Sequence, residues 1–90
     1  MKPRLYAVSY DIPSDNRRVK IANALKSYGE RVQYSVFECW LSGAELADLT
    51  KRLERLFEPA EDSIRVYPTG GEVRVMGQGD ITGNPELLIV

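Results

Sequence analysis

The sequence predicts one small α+β domain, with two helices on one face of a sheet. Its 90 residues leave no room for a second domain. Segments rich in β-branched and aromatic residues alternate with two segments of helical periodicity. Apolar residues make up 43% and charged residues 28%, as in soluble globular proteins. Since no apolar run exceeds four residues, we expect neither a membrane span nor a signal-peptide core.

The first third of the chain predicts a strand followed by a helix. Residues 5–12 are apolar and aromatic, and Pro13 ends the strand. The cluster 14–16 is typical of a helix start, and Gly29 is suited to follow the helix end. Between them lie apolar residues at helical spacing, which predict the buried stripe: Val19, Ile21, Ala22, Leu25 and Tyr28.

Residues 31–41 form a second β-rich segment that contains no Gly, Asn or Pro turn signal. The pattern is compatible with one bent strand or with two short antiparallel strands, and the order of elements favours two. Ser42 and Glu45 then match a capping box. A stripe of leucines predicts the second helix, which must end before Pro59: Leu46, Leu49, Leu53 and Leu56.

The last third predicts a strand over 63–67, a turn over 69–71 and a short strand over 72–76. Residues 77–90 are interpreted as a loop with an apolar end that docks on a dimer partner. The chain order is therefore that of a ferredoxin-like βαββαβ sandwich with an extra C-terminal strand, in one domain over 1–90. Both faces of the sheet carry apolar residues, and two helices cover only one. A homodimer joined through the second face is the simplest solution; the alternative is that these are merely large residues at the sheet margins.

Counting residues excludes several chemistries. The chain has no histidine and one cysteine, Cys39, so imidazole metal sites, Ser-His-Asp triads and internal disulfides are excluded. A single thiol without a histidine is interpreted as a buried apolar residue of a cytoplasmic protein. Carboxylate, Arg/Lys, hydroxyl and aromatic chemistry remain.

Charge is distributed unevenly along the chain. Residues 1–31 carry seven Lys/Arg against three acids, whereas residues 32–90 carry five against ten. A net charge of −1 argues against tight binding of nucleic acid by charge alone, but a local basic surface in the first third is possible.

Asp11 is the sharpest candidate for chemistry, because it ends the first predicted strand just before a turn and a helix. One or two carboxylates suffice for Mg²⁺, which keeps several waters. Two copies of Asp11 across a two-fold axis would make such a site, where the ion neutralises charge on a phosphodiester. The alternative, favoured by spacing alone, is that Asp11 caps the turn.

Basic and aromatic residues surround this position in the sequence. Arg17 and Arg18 lie in the first helical turn, where the helix dipole opposes cations. Pairing with Asp11, Asp15 or Glu38 would compensate, as would a bound phosphate, in a patch extended by Lys20 and Arg31; the alternative is a solvated basic face. The aromatic residues are compatible with base stacking but are more typical of a core or an interface: Tyr10, Phe37 and Trp40.

These segments together resemble the CRISPR-associated protein two family over residues 5–68. The resemblance rests on Ser9-Tyr10-Asp11-Ile12, on Arg17-Arg18-x-Lys20, on residues 25–38 and on the segment 62–67. It implies a ferredoxin-like homodimer and a magnesium-dependent nuclease that acts on single-stranded RNA or duplex DNA. Asp11 matches the metal-binding aspartate, and further residues match positions implicated in activity: Tyr10, Arg17 or Arg18, Arg31 and Phe37.

The resemblance also implies a role in spacer acquisition, in which the dimer bridges dimers of the CRISPR integrase and holds duplex DNA. That role does not require cleavage. Three hypotheses therefore remain open at this point: an adaptation protein with or without nuclease activity, a free-standing toxin-like RNase, and a non-catalytic oligomerisation or sensing module.

Overall fold

The computed structural model describes residues 2–70 and 73–77 and shows two helices against one four-stranded antiparallel sheet. The sheet order is β2-β3-β1-β4, and both neighbours of β1 run antiparallel to it. This arrangement confirms the predicted ferredoxin-like α+β fold. The elements are β1 (Arg4–Asp11), α1 (Asp15–Lys26), β2 (Glu30–Gln33), β3 (Val36–Leu41), α2 (Gly43–Leu56) and β4 (Ser63–Pro68).

The β-rich segment after α1 forms two strands, as the order of elements favoured. Gln33 pairs with Val36, so the connecting turn consists of Tyr34 and Ser35. Among the described residues, only glycines have a positive φ, so Tyr34 and Ser35 both have a negative φ. Turns that need a positive φ are the ones that favour Gly or Asn, which explains why this turn carries neither residue. An irregularity between Arg31 and Gln33 accompanies the turn and increases the local twist.

Both helices begin at a serine, as their sequences predict. The Ser14 hydroxyl accepts a hydrogen bond from the Arg17 backbone N–H at 3.3 Å. At α2, Ser42 and Glu45 form the complete capping box, with hydrogen bonds of 2.9 and 3.2 Å. These bonds satisfy backbone donors that the first helical turn leaves without a partner.

The core lies between the helices and one face of the sheet. Every second residue of β1 and β3 faces the helices, and Val8 and Phe37 are completely buried there. The leucine stripe of α2 contributes Leu49 and Leu53 to the core as predicted. Cys39 is also buried, and this burial, together with Glu38, raises the pKa of its thiol to about 11, which agrees with an unreactive apolar role.

The predicted stripe of α1 differs from the structure at two residues. Tyr28 packs against the core but lies beyond the end of α1. Ile21, Ala22 and Leu25 are buried, but Val19 is 57% exposed. A helix has 3.6 residues per turn, so a run at spacing three drifts around the axis, and Val19 falls outside the sector that faces the sheet.

Glycine is required at position 29 because of close packing against β3, and not because the residue ends a helix. The C-cap of α1 is Ser27, and Gly29 lies two residues further on. A Cβ at Gly29 would lie 2.2 Å from the Glu38 carbonyl oxygen and 2.6 Å from the Cys39 sulfur. The chain therefore passes directly against β3 at this point, and only glycine fits.

Within residues 2–70 and 73–77, no helix packs on the second face of the sheet. Ala7, Val36 and Trp40 lie half-buried on it, and Tyr67 is 48% exposed. Of the short strand predicted over 72–76, residues 73–76 show only an isolated bridge at Val75, and the rest of this prediction, with the tail 78–90, lies outside the described residues. No helix in the described part of the chain is long and apolar enough to cross a membrane.

Candidate nucleic-acid interface

The carboxyl end of β1, the start of α1 and the β2–β3 turn meet at one corner of the domain. The Tyr10 backbone N–H donates to the Ser35 carbonyl at 3.1 Å, and the Tyr10 hydroxyl donates to the Tyr34 carbonyl at 3.3 Å. These bonds tie the turn to the end of β1. A cavity of about 440 Å³ lies at the junction and is lined by Ser9, Tyr10, Asp11, Ile12, Arg18, Tyr34 and Ser35.

Asp11 is exposed at the end of β1. It is paired in register with Ser63 of β4 and shares with Ser9 the sheet face that no helix covers. Its carboxylate makes no hydrogen bond or ion pair within residues 2–70 and 73–77. The N-cap of α1 is Ser14, and the Asp11 carboxylate accepts no backbone N–H of the turn, so the interpretation that Asp11 caps this turn is wrong.

The Asp11 carboxylate is suited to bind Mg²⁺, but the described part of one chain supplies only one of the two carboxylates expected at the site. An exposed carboxylate is a hard oxygen ligand of the kind that Mg²⁺ prefers, and this ion tolerates water in its remaining positions. Across the described ranges, no three His, Cys, Asp or Glu residues lie close enough together to hold a metal ion. The described residues of one chain thus offer a single carboxylate, and any further protein ligand must come from elsewhere.

Arg17 is committed to an ion-pair cluster that links α1 to the segment before β4. Its Nε donates to Asp62 at 2.8 Å, and its Nη2 donates to Asp62 at 3.1 Å and to Glu61 at 2.9 Å. The Asp62 side chain is completely buried and also accepts the Glu58 backbone N–H at 2.8 Å. The Arg17 guanidinium holds the pKa of this carboxyl below its usual value.

The unfavourable interaction of Arg17 with the helix dipole is therefore offset by ion pairs with Asp62 and Glu61. The carboxylates that the sequence suggested for this role, Asp11 and Glu38, do not pair with Arg17. A guanidinium held by two carboxylates is less available to phosphate than an unpaired one, since binding must compete with those bonds. Nucleic-acid binding by Arg17 stays a prediction.

Arg18 points toward the cavity at Asp11. Its Nη1 donates to the Ile12 carbonyl at 2.9 Å, and its Nη2 pairs with Asp15, one of the partners that the sequence suggested. The hydrogen bond to Asp15 is the main cause that raises the pKa of Arg18. The side chain remains 27% exposed and lines the cavity, so it is a fixed positive charge beside Asp11.

Arg31, Tyr10 and Phe37 lie on the helix-facing side of the sheet, whereas Trp40, the third aromatic candidate, lies half-buried on the other face. Tyr10 is 4% exposed and Phe37 is completely buried, with ring centroids 6.3 Å apart. Both rings are thus core residues, as aromatic strand positions suggested. The Arg31 guanidinium lies 5.4 Å from the Phe37 ring centroid, and Arg31 is exposed. Lys20 is exposed on α1.

The structure therefore brings together Asp11, Tyr10 and Arg18, with Arg31 beyond them, and separates Arg17 from this group. Two relevant residues escaped the sequence analysis. Tyr34 gave no signal beyond being an aromatic residue in a β-rich segment. Asp62 precedes a strand among other acids, so nothing in the local pattern marks it as buried.

Comparison with known proteins agrees with this fold. The family model described as CRISPR associated protein Cas2 matches residues 4–76. The CRISPR-associated endonuclease Cas2 2 of Thermus thermophilus is 58% identical over 87 residues, which cover 97% of this chain and 93% of that protein. The CRISPR-associated endoribonuclease Cas2 3 of a Synechocystis species is 51% identical over 83 residues, which cover 92% and 88%.

A solved structure gives the same result. The crystal structure of a hypothetical protein, TT1823, from Thermus thermophilus superposes with a TM-score of 0.83 at 57% identity, covering 89% of this chain and 98% of that one. The family model spans most of the chain, and the relatives are similar over nearly their whole length. The chain therefore belongs to the CRISPR-associated Cas2 family.

Proposed function

We propose that the protein is a CRISPR adaptation protein that binds nucleic acid as a homodimer and cleaves phosphodiester bonds with Mg²⁺. The observation that carries the proposal is Asp11, an exposed carboxylate without a partner among the described residues, beside the fixed positive charge of Arg18. The relatives named endonuclease and endoribonuclease support the reaction class.

The homodimer is supported by the sheet face on which no helix of the described residues packs. Ala7, Val36 and Trp40 are half-buried there, and Tyr67 leaves about half of its surface exposed. Packing of this face on a second copy removes apolar surface from water. Because Asp11 shares the same face, a two-fold axis through it brings two carboxylates toward each other.

Each group then has a defined task. The two Asp11 carboxylates would hold the Mg²⁺ ion, which when bound would neutralise charge that develops on the phosphodiester. Arg18 and Arg31 bind phosphate oxygens and fix the strand relative to the carboxylates. Since the chain has no histidine, a carboxylate or solvent must accept the proton of the attacking water.

A matched pair of variants tests the reaction. Asp11→Asn removes one charge at the proposed site, whereas Asp48→Asn makes the same change at an exposed position on α2. Cleavage of single-stranded RNA and duplex DNA is followed with Mg²⁺ and with chelator. We expect cleavage to need the ion, to fall at least about 100-fold in Asp11→Asn, and to persist in Asp48→Asn. Full activity of Asp11→Asn in a purified sample would refute the assignment.

A second candidate is a non-catalytic scaffold that bridges dimers of the CRISPR integrase and holds duplex DNA. One observation favours it: the described residues of one chain supply a single carboxylate at the site, whereas binding of phosphate needs only the basic groups. The same preparations distinguish the two. A scaffold retains integrase binding and salt-sensitive duplex binding in Asp11→Asn while the wild-type protein cleaves nothing. Sedimentation of wild type as a monomer at micromolar concentration would contradict both.

A further inference from the structure

A second groove lies beside the cavity at Asp11, between α1 and the β2–β3 turn. Its volume is about 180 Å³, and Tyr10, Arg18, Val19, Ala22, Arg31 and Tyr34 line it. Three of these residues also line the cavity at Asp11, so the two spaces adjoin: Tyr10, Arg18 and Tyr34. A ligand in the groove would therefore lie next to the proposed reaction site.

Two large apolar side chains that line this groove are exposed to solvent, although residues of their types are usually buried. Tyr34 is 71% exposed and Val19 is 57% exposed, although both are large apolar side chains. Tyr34 is held in place through its main chain, because its carbonyl accepts the Tyr10 hydroxyl and the adjacent Ser35 carbonyl accepts the Tyr10 backbone N–H. The exposed ring thus stands on an anchored turn.

The charged part of the groove is cationic. Among the described residues, Arg18 and Arg31 are the only charged ones that line it, and the carboxylate of Asp15, which pairs with Arg18, does not. Arg31 contacts the Phe37 ring but forms no ion pair within the described residues. An apolar wall and an aromatic ring beside Arg31, which no carboxylate of the described residues neutralises, suit a ligand that is planar, apolar on its faces and anionic at one end.

The size of the groove restricts the choice further. Sites for whole small-molecule ligands measure about 300–1,000 Å³, so 180 Å³ admits one ring system and leaves the attached sugar and phosphate outside. A nucleobase of a polynucleotide meets this description. A base in a duplex is already paired and stacked, and must be unstacked before it can enter.

We propose that this groove binds one unpaired nucleobase, stacked on Tyr34 beside Val19, with a flanking phosphate on Arg31. The inference rests on the nucleic-acid binding proposed above and names its substrate class: a single strand, or a duplex with an unpaired end. The neighbouring phosphodiester then enters the cavity at Asp11, so the groove selects which bond is presented to the carboxylate.

The test uses the full chain and a single-stranded RNA of about 12 nucleotides that carries one 2-aminopurine, with a duplex DNA of equal length alongside. The variants are Tyr34→Ala, Tyr34→Phe and Arg31→Ala. We expect Tyr34→Ala to weaken single-strand binding about 5- to 150-fold and to abolish the fluorescence change of the stacked base. Its duplex affinity and salt dependence should stay unchanged. Tyr34→Phe keeps the ring and should retain the fluorescence change of the stacked base.

Arg31→Ala serves as the contrast, since loss of a phosphate contact weakens both nucleic acids and lowers the slope of log affinity against log salt by about one. Circular dichroism checks that the Tyr34 variants fold, which is expected of an exposed side chain. Equal single-strand affinities for wild type and Tyr34→Ala, with duplex binding intact, would overturn the base site and leave the proposed function standing. If wild type binds neither nucleic acid, the proposed function fails and the base site fails with it.

Discussion

Replacement of Gly29 by alanine should destabilise the domain strongly. The new Cβ would lie 2.2 Å from the Glu38 carbonyl oxygen, 2.6 Å from the Cys39 sulfur and 2.8 Å from the Cys39 Cα. The closest of these contacts is about 1 Å shorter than close packing of atoms allows. The neighbours cannot easily retreat, because β3 is an inner strand that is hydrogen-bonded to β1 and β2 on its two sides.

The magnitude follows from these contacts. Overpacking of a core costs about 1–3 kcal/mol when side chains can adjust. Two of the three close atoms at Gly29 belong to the backbone, so we expect the upper end, about 3 kcal/mol. For a chain of 90 residues that corresponds to a fall in Tm of about 12–24 °C. Because the displaced strand carries the β2–β3 turn, single-strand binding should weaken as well.

Urea denaturation followed by circular dichroism measures the change. Gly70→Ala is the matched control, because it adds the same methyl group at a position where no atom of the described residues lies within 4 Å. That variant carries only the cost of a positive φ, about 1 kcal/mol. Cys39→Ala in the Gly29→Ala background removes the sulfur contact but not the carbonyl contact, so it should restore part of the loss. A Gly29→Ala variant within about 0.5 kcal/mol of wild type would refute the steric argument.

Two further predictions concern the ion pair and the core. The hydrogen bond from Arg17 lowers the pKa of Asp62 in the folded protein. The ion pair therefore contributes its full stabilisation of the fold above pH 3.8, the pKa of Asp62 in the unfolded chain. This contribution is lost as the pH falls through the lower pKa of the folded state. The difference in unfolding free energy between wild type and Asp62→Asn, measured in urea, should therefore be largest near pH 7 and shrink below pH 3.8; a difference independent of pH would contradict the ion pair. Phe37→Ala should cost about 3–5 kcal/mol because the ring is completely buried, whereas Phe37→Leu should cost less than about 1.5 kcal/mol. If cleavage survives in Phe37→Leu at the wild-type rate, the role in activity that the family resemblance implied for Phe37 reflects packing. A Phe37→Ala variant as stable as wild type would contradict the core position of the ring.

The ion-pair cluster changes how the basic first helix is understood. Arg17 and Arg18 are adjacent in sequence, but Arg17 joins α1 to the loop before β4 through Asp62, while Arg18 faces the cavity at Asp11. Their substitution should therefore have different consequences, since the first removes a partner from a buried carboxylate and the second removes a charge from the proposed site. The two arginines are not interchangeable members of one patch.

Local patterns were enough to predict the element order, the serine caps, the leucine stripe of α2 and the position of Asp11 at a strand end. These features depend on residues within about one or two helical turns of each other, and short-range periodicity and capping chemistry record them directly. The resemblance to the Cas2 family rested on the same contiguous segments and is confirmed by the family match.

Contacts between distant segments were not predictable in this way. The partner of Arg17 lies 45 residues away, the reason for Gly29 is the backbone of another strand, and the exposure of Val19 and Tyr34 depends on how α1 lies beside the hairpin. Each is a matter of which surfaces meet once the sheet has formed. The local sequence around a charged residue, a glycine or an aromatic residue does not reveal whether its side chain will lie in a core, an ion pair or a groove. Burial depends on the distant segments that pack against the residue once the chain has folded.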